Sequence, residues 1–193
     1  MNTKEKILRT GKIQFAAHGY AGTTMAMIAE AVGIKKPSLY AHYSSKEAIF
    51  KGVLEAEFTD YIAFVTDILE KENQSALGKL SALYMAHLPE AGEPDSSNDF
   101  YYRFIKFQPP GLEEYIAGKY REAEDIQFEI FSGVVEDGKR EGAIDPRLSA
   151  RQVYEAYFLL LGGIDSMQGL YDAEYIQKSG RDAWQVFYRG IKA

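Results

Sequence analysis

Apolar residues recur at spacings of three and four along nearly the whole chain, and runs alternating apolar and polar between turn residues are absent. That periodicity lays an apolar stripe along a helix and leaves a strand no face to bury, so an all-helical protein is predicted. Breakers and caps divide it. A first helix is expected over about residues 3–18, stopped by Gly19 as a left-handed cap. Thr23 or Thr24 caps a short second helix, MAMIAEAV, which ends at Gly33, and Pro37 suits the first turn of a short third. Ser44 with Glu47 three residues on reads as a capping box for a long fourth helix reaching Glu70 or Lys71. Further helical stretches are expected over residues 76–88, 99–107, 112–140, 149–170 and 181–192, with a loop over 89–98.

The formal charge of −6 conceals two parts. Residues 1–51 hold eight Lys or Arg against three acids, a balance of +5, and the rest of the chain stands at −11. A basic segment on an acidic body fits a module that meets a polyanion, although chance clustering gives the same split. The boundary is placed where the sign changes, inside the fourth helix, giving domains of residues 1–51 and 52–193. Cysteine is absent, which excludes disulfides, thiolate metal sites and a cysteine nucleophile. The longest apolar run, residues 156–164, falls short of the roughly 20 residues of a membrane span. The charged N-terminus, MNTKEKILRTGK, lacks a signal-peptide pattern, so a cytoplasmic chain with no membrane partner is expected.

Three short helices within the first 43 residues, with Gly33 between the second and third, have the spacing of a helix-turn-helix. Ala29 is small where the helices cross, Gly33 suits a positive φ, and Ile34 and Leu39 are apolar where the third helix packs inward. Lys35, Lys36, Ser38, Ala41 and His42 point outward, as side chains entering a major groove must. The stretch from Thr23 to Phe50 resembles the DNA-binding domain of the TetR family of bacterial transcriptional regulators. The resemblance lies in Thr24, Ile28-Ala29, Gly33, Leu39-Tyr40, His42, Tyr43 and Lys46-Glu47, with Ile7-Leu8, Phe15 and Gly19 upstream. Lys35 departs from it, standing where a capping Ser or Thr is common, as do Gly11 and Gln14 in place of Ala and Leu.

The resemblance implies that Thr24, Tyr40, His42 and Lys46 hold phosphates, which fixes register, and that Lys35, Lys36, Pro37 and Ser38 read bases. A lysine donates to guanine O6 and N7, and Pro37 packs on a thymine methyl. Tyr43 reads as core, Lys35 equally as a solvated cation, and His18 as a partner of the first helix's C-terminus.

The same resemblance implies a homodimer on a palindromic double-stranded DNA operator, most often as a repressor, released by a small-molecule effector. Its dimer is a four-helix bundle of the last two helices, where Tyr154, Tyr157, Phe158, Leu161, Gly162, Trp184, Phe187 and Tyr188 are expected, although a monomer core would use the same residues. Its middle helices would enclose the effector. Phe100, Tyr101, Phe104 and Phe107 are expected to line that pocket, with Tyr84, His87, Arg103, Gln108, Asp165 and Gln168 as polar fixers. Fourteen Tyr and eleven Phe suit a flat or cationic ligand. Enzyme motifs such as G-x-S-x-G, H-E-x-x-H and the P-loop are absent, and three scattered histidines suggest no metal set, so no catalytic residue, metal or cofactor is expected. The alternative reading is a helical small-molecule-binding or interaction protein without DNA binding. The run Lys35-Lys36-Pro37-Ser38 argues against it.

Overall fold

A computed structural model describes residues 2–71, 74–89 and 99–193, with all of their side chains except those of Asp99, Tyr101 and Tyr102. Among these residues the chain forms nine helices and no strand. They are α1 (Thr3–Gly22), α2 (Met25–Val32), α3 (Lys36–His42), α4 (Lys46–Leu69), α5 (Ala76–Ala86), α6 (Asp99–Lys106), α7 (Glu113–Arg140), α8 (Ala150–Met167) and α9 (Ala173–Ile191). The loop expected over residues 89–98 lies, except for Pro89, outside the described residues.

Local chemistry sets the ends of these helices. Asn2 and Glu5 form a reciprocal capping box that opens α1. At its far end Gly19 has φ +72° with an extended ψ, a region open in practice to glycine alone, and a last helical turn follows to Gly22. The expected stop at Gly19 is therefore a kink. Thr24, not Thr23, caps α2 by accepting from Met27 N at 3.2 Å. Thr23 is buried instead, with its hydroxyl against the carbonyls of Gly19 (2.8 Å) and Gln14 (3.0 Å). Gly33 adopts the left-handed conformation expected of it, so that its own N–H and that of Ile34 reach back to the Ala29 carbonyl.

Two expected boundaries need correction. The cap of α4 is Ser45, whose Oγ accepts from Ala48 N at 3.0 Å, and not Ser44 paired with Glu47. Helix α9 begins eight residues before the expected Arg181, because Asp172 caps it by accepting from Tyr175 N at 2.8 Å. Gly180 is an interior helical residue. A Cβ there would stand 2.5 Å from Leu88 Cδ2, so the glycine marks close packing and not a break.

The chain divides into two compact units, Met1–Tyr61 with Ser96–Ala123, and Ile62–Asp95 with Glu124–Ala193. The division inside α4 falls at Tyr61, ten residues beyond the change of charge sign at Lys51, and α6 with the first part of α7 joins the N-terminal unit. Packing accounts for this. Ile7, Phe15, Ile28, Leu39, Ile49 and Phe50 are fully buried, and α6 adds Phe100 and Phe104 to the same core. Phe50 stands 4.9 Å from Phe104 and 5.5 Å from Phe100, ring centre to ring centre, and Phe15 meets Phe50 edge-on at 5.3 Å. Such aromatic contacts add about 0.5–1.5 kcal/mol each beyond area burial.

The second unit is organised around aromatic side chains of α5, α7, α8 and α9. Tyr84 packs on Trp184 at 5.1 Å and on Tyr157 at 5.9 Å, and Tyr157 meets Phe131 at 5.0 Å.

Candidate nucleic-acid interface

Helix α3 carries its one buried residue, Leu39, into the core and turns Lys35, Lys36, Pro37, Ser38, Tyr40, Ala41 and His42 to solvent. Lys35 is the N-cap residue and makes no side-chain cap, so its cation stays at the surface beside Lys36. Lys36 Nζ sits 6.0 Å from the centre of the Tyr40 ring. Thr24, at the N-terminus of α2, is exposed. Of the other cations in this segment, Lys12 pairs with Glu57 at 2.8 Å and Lys51 with Glu47 at 2.6 Å. The basic groups presented to solvent are thus those of the α2–α3 turn and α3, together with Lys4, Lys6 and Arg9 at the start of α1. Tyr43 is half-buried between unit core and surface, in keeping with a core reading, and burial pushes its hydroxyl upward.

Lys46 has a structural partner that the sequence did not announce. Its ammonium donates to the Tyr20 carbonyl at 2.7 Å and lies 4.4 Å from the centre of the Tyr20 ring, so α4 ties down the end of α1. Burial raises the Tyr20 hydroxyl, and Glu47 adds to the shift.

The residues expected to enclose an effector fall into different places. Phe100 and Phe104 belong to the core of the N-terminal unit, because α6 turns its apolar face onto Phe15 and Phe50. Phe107 is 75% exposed, and Gln108 is half-buried beside it in sequence. The Tyr101 side chain lies outside the described residues. Arg103 is also committed locally. Its Nη1 donates to the Ala16 carbonyl at 2.7 Å, and its guanidinium lies against Gly19, where it complements the C-terminal end of α1 before the kink. The remaining candidates belong to the second unit. Tyr84 is fully buried, and His87 Nδ1 is 2.7 Å from the Leu83 carbonyl with Phe64 against its ring. Burial lowers the His87 pKa, opposed by the Leu83 hydrogen bond and by the charge of Asp165. Gln168 closes α8 as its C-cap residue.

The residues expected at a dimer interface fall in different places. Tyr154, Tyr157, Leu161 and Trp184 are buried within the chain, since the aromatic stripe of α8 faces α5, α7 and α9. Phe158, Phe187 and Tyr188 are half-buried, and Gly162 is exposed. The outward stripe of α8 is Ala156, Leu159, Gly162 and Gly163, with Leu159 78% exposed, and α9 shows Val186 at 73%. The sequence did not single out Leu159 and Val186, whose exposure follows from helix register and not from residue type. Nor did it single out Gln127, buried on the apolar stripe of α7 one turn before Phe131.

Residues 7–53 match the sequence model of the family described as bacterial regulatory proteins, tetR family, and this span holds all eight candidate DNA contacts. The biofilm operon icaADBC HTH-type negative transcriptional regulator IcaR of Staphylococcus epidermidis is 42% identical over 62 residues, 32% of this chain and 34% of that protein. The chain spans about a third to two-fifths of the length of the curated relatives it matches. Two solved structures share the fold over nearly their full lengths at 17% identity. They are a TetR transcription regulator from Haloarcula marismortui (TM-score 0.77, covering 99% of this chain and 98% of that one) and FadR from Bacillus subtilis in complex with stearoyl-CoA (0.72, 97% and 98%). Residues 7–53 thus form a helix-turn-helix of the tetR-family type with a solvent-facing basic third helix, and the chain shares the fold of solved TetR regulators.

Proposed function

We propose that the chain is a ligand-responsive transcriptional repressor that binds a palindromic operator as a homodimer and is released by a small-molecule effector. The observation that carries this reading is α3. Seven of its turn and helix positions reach solvent, two are lysines, and only Leu39 is spent on the core. In this reading Lys35, Lys36, Pro37 and Ser38 read base edges, while Thr24, Tyr40 and His42 meet phosphates. Lys46 holds Tyr20 and offers its remaining N–H donors to the backbone of the operator.

A single helix-turn-helix binds weakly, and two copies on a two-fold site are the ordinary remedy. The exposed stripe of Ala156, Leu159, Gly162, Gly163 and Val186 supplies an isologous face with small residues for close helix approach. The effector belongs to the aromatic second unit. Release follows if it favours a conformation in which the recognition helices no longer match their half-sites, a shift limited by its differential affinity for the two states. Arg103 and the phenylalanines of α6 are the groups through which such a change would reach α1 and α4.

A mobility-shift titration tests the reading, using the full chain and the DNA flanking its own gene. A retarded complex that survives non-specific competitor and weakens steeply with salt is expected. Retardation equal to that on unrelated DNA of the same length would overturn it.

A further inference from the structure

The second unit buries four polar side chains of α5, α7 and α8, two whose donors are bonded within the fold and two whose donors are not. The Tyr157 hydroxyl donates to the Leu80 carbonyl at 3.0 Å, and the Tyr154 hydroxyl donates to Gln127 Oε1 at 2.9 Å. Tyr84 lies in the same core, fully buried, and its hydroxyl has no hydrogen-bond partner. Gln127 has the matching deficiency at its other end, since Nε2 is buried without an acceptor. Buried donors without acceptors are rare in native proteins and each calls for an explanation. Packing alone does not supply one, because phenylalanine at 84 would fill much the same space with no hydroxyl to desolvate, and the bond from Tyr154 accounts for Gln127 Oε1 but not for its Nε2.

The two donors are joined by a chain of edge-to-face ring contacts. Tyr84 touches Tyr157 at 5.9 Å, Tyr157 touches Phe131 at 5.0 Å, and Phe131 touches Tyr154, the partner of Gln127, at 5.4 Å. Burial also pushes the Tyr84 hydroxyl up to about 12, so it stays a neutral donor. Gln127 is the only buried polar or charged side chain of this unit among the described residues, apart from the tyrosine hydroxyls. A charged group inserted here would have no buried counter-ion and would lose its hydration uncompensated.

We propose that Tyr84 and Gln127 are the polar fixers of the effector site, and that the effector is an uncharged, flat, largely apolar molecule presenting carbonyl or ether oxygens to their O–H and N–H donors. The rings provide apolar contact area, and the two donors set orientation. A cationic ligand, which the aromatic content alone would equally suit, lacks a buried acid beside these rings. The inference rests on the reading of the chain as a ligand-responsive regulator and gives that ligand a chemical class.

The test uses the purified full chain, thermal-shift and calorimetric titrations, and four probes. These are xanthone, anthracene (a flat three-ring frame of similar size without oxygen), phenyltrimethylammonium and 1-naphthoate. Operator binding is recorded on the same samples. Xanthone is expected to bind and to raise the melting temperature, with anthracene about tenfold weaker and both ions inert. Tyr84→Phe and Gln127→Leu should each weaken xanthone about tenfold while leaving anthracene unchanged. Tyr84→Phe should also melt no lower than the parent chain, because a desolvated donor has been removed, whereas Gln127→Leu takes away the acceptor of the Tyr154 hydroxyl and should melt lower. Failure of xanthone to bind, equal binding of anthracene, or tighter binding of either ion would overturn the proposal. So would a clear loss of stability in Tyr84→Phe, which would mean that its hydroxyl is bonded within the fold. Loss of operator binding by the parent chain would instead sink the regulator reading, so the two failures are distinguishable.

Discussion

Lys36 and Lys46 carry the same charge ten residues apart and do different work. Lys36 points outward from α3 with only the Tyr40 ring near it, whereas Lys46 spends one donor on the Tyr20 carbonyl. Lys36→Ala is expected to relax sequence preference at one operator position and leave the melting temperature unchanged. Lys46→Ala is expected to weaken binding to all sequences alike and to destabilise the protein by about 1 kcal/mol, a charged hydrogen bond discounted for partial exposure. Binding assays on operator and scrambled DNA, with parallel melts, separate the two. A Lys46→Ala protein with unchanged stability would contradict the tie between α4 and α1.

At the scale of the element, close approach decides where a helix tolerates a side chain. On α7, a Cβ at Gly138 would stand 2.6 Å from Ile144 Cδ1 and 3.0 Å from Ala76 Cβ, while one at Gly133 would meet nothing within 4 Å. Replacing an exposed helical glycine by alanine stabilises by roughly 0.5–1 kcal/mol, and overpacking costs about 1–3 kcal/mol. Gly133→Ala should therefore raise the melting temperature and Gly138→Ala lower it, as thermal melts of the two variants will show. The same elements mark how far the sequence was legible. Periodicity identified the helices, and Thr24, Gly33 and the outward face of α3 were readable because caps and turns are local chemistry. The caps Asp172 and Ser45 are equally local, but each competes with neighbouring candidates such as Ser44. That α6 packs on α1 and α4 is not local and depends on which surface the helix finds. Phe100 and Phe104 illustrate the point, since an aromatic stripe looks the same whether it lines a ligand or closes a core.

For the whole molecule, the total charge of −6 describes neither the basic head nor the acidic remainder. An acidic body is repelled by DNA, which leaves the exposed cations of α1 and α3 as the approach surface. In the proposed dimer the exposed stripe would convert one weak contact into two coupled ones, and Leu159 is its most exposed apolar residue on α8. Because Leu159 is not part of its subunit's core, Leu159→Glu should leave the fold intact while opposing self-association. The most direct test of the account is a hydroxyl-radical footprint of the full chain on the DNA flanking its gene, repeated with Leu159→Glu. The account predicts two protected half-sites about one helical turn, or a multiple of it, apart, both lost together in the variant at the same concentration. Absence of protection at low salt, or protection unchanged by Leu159→Glu, would contradict it.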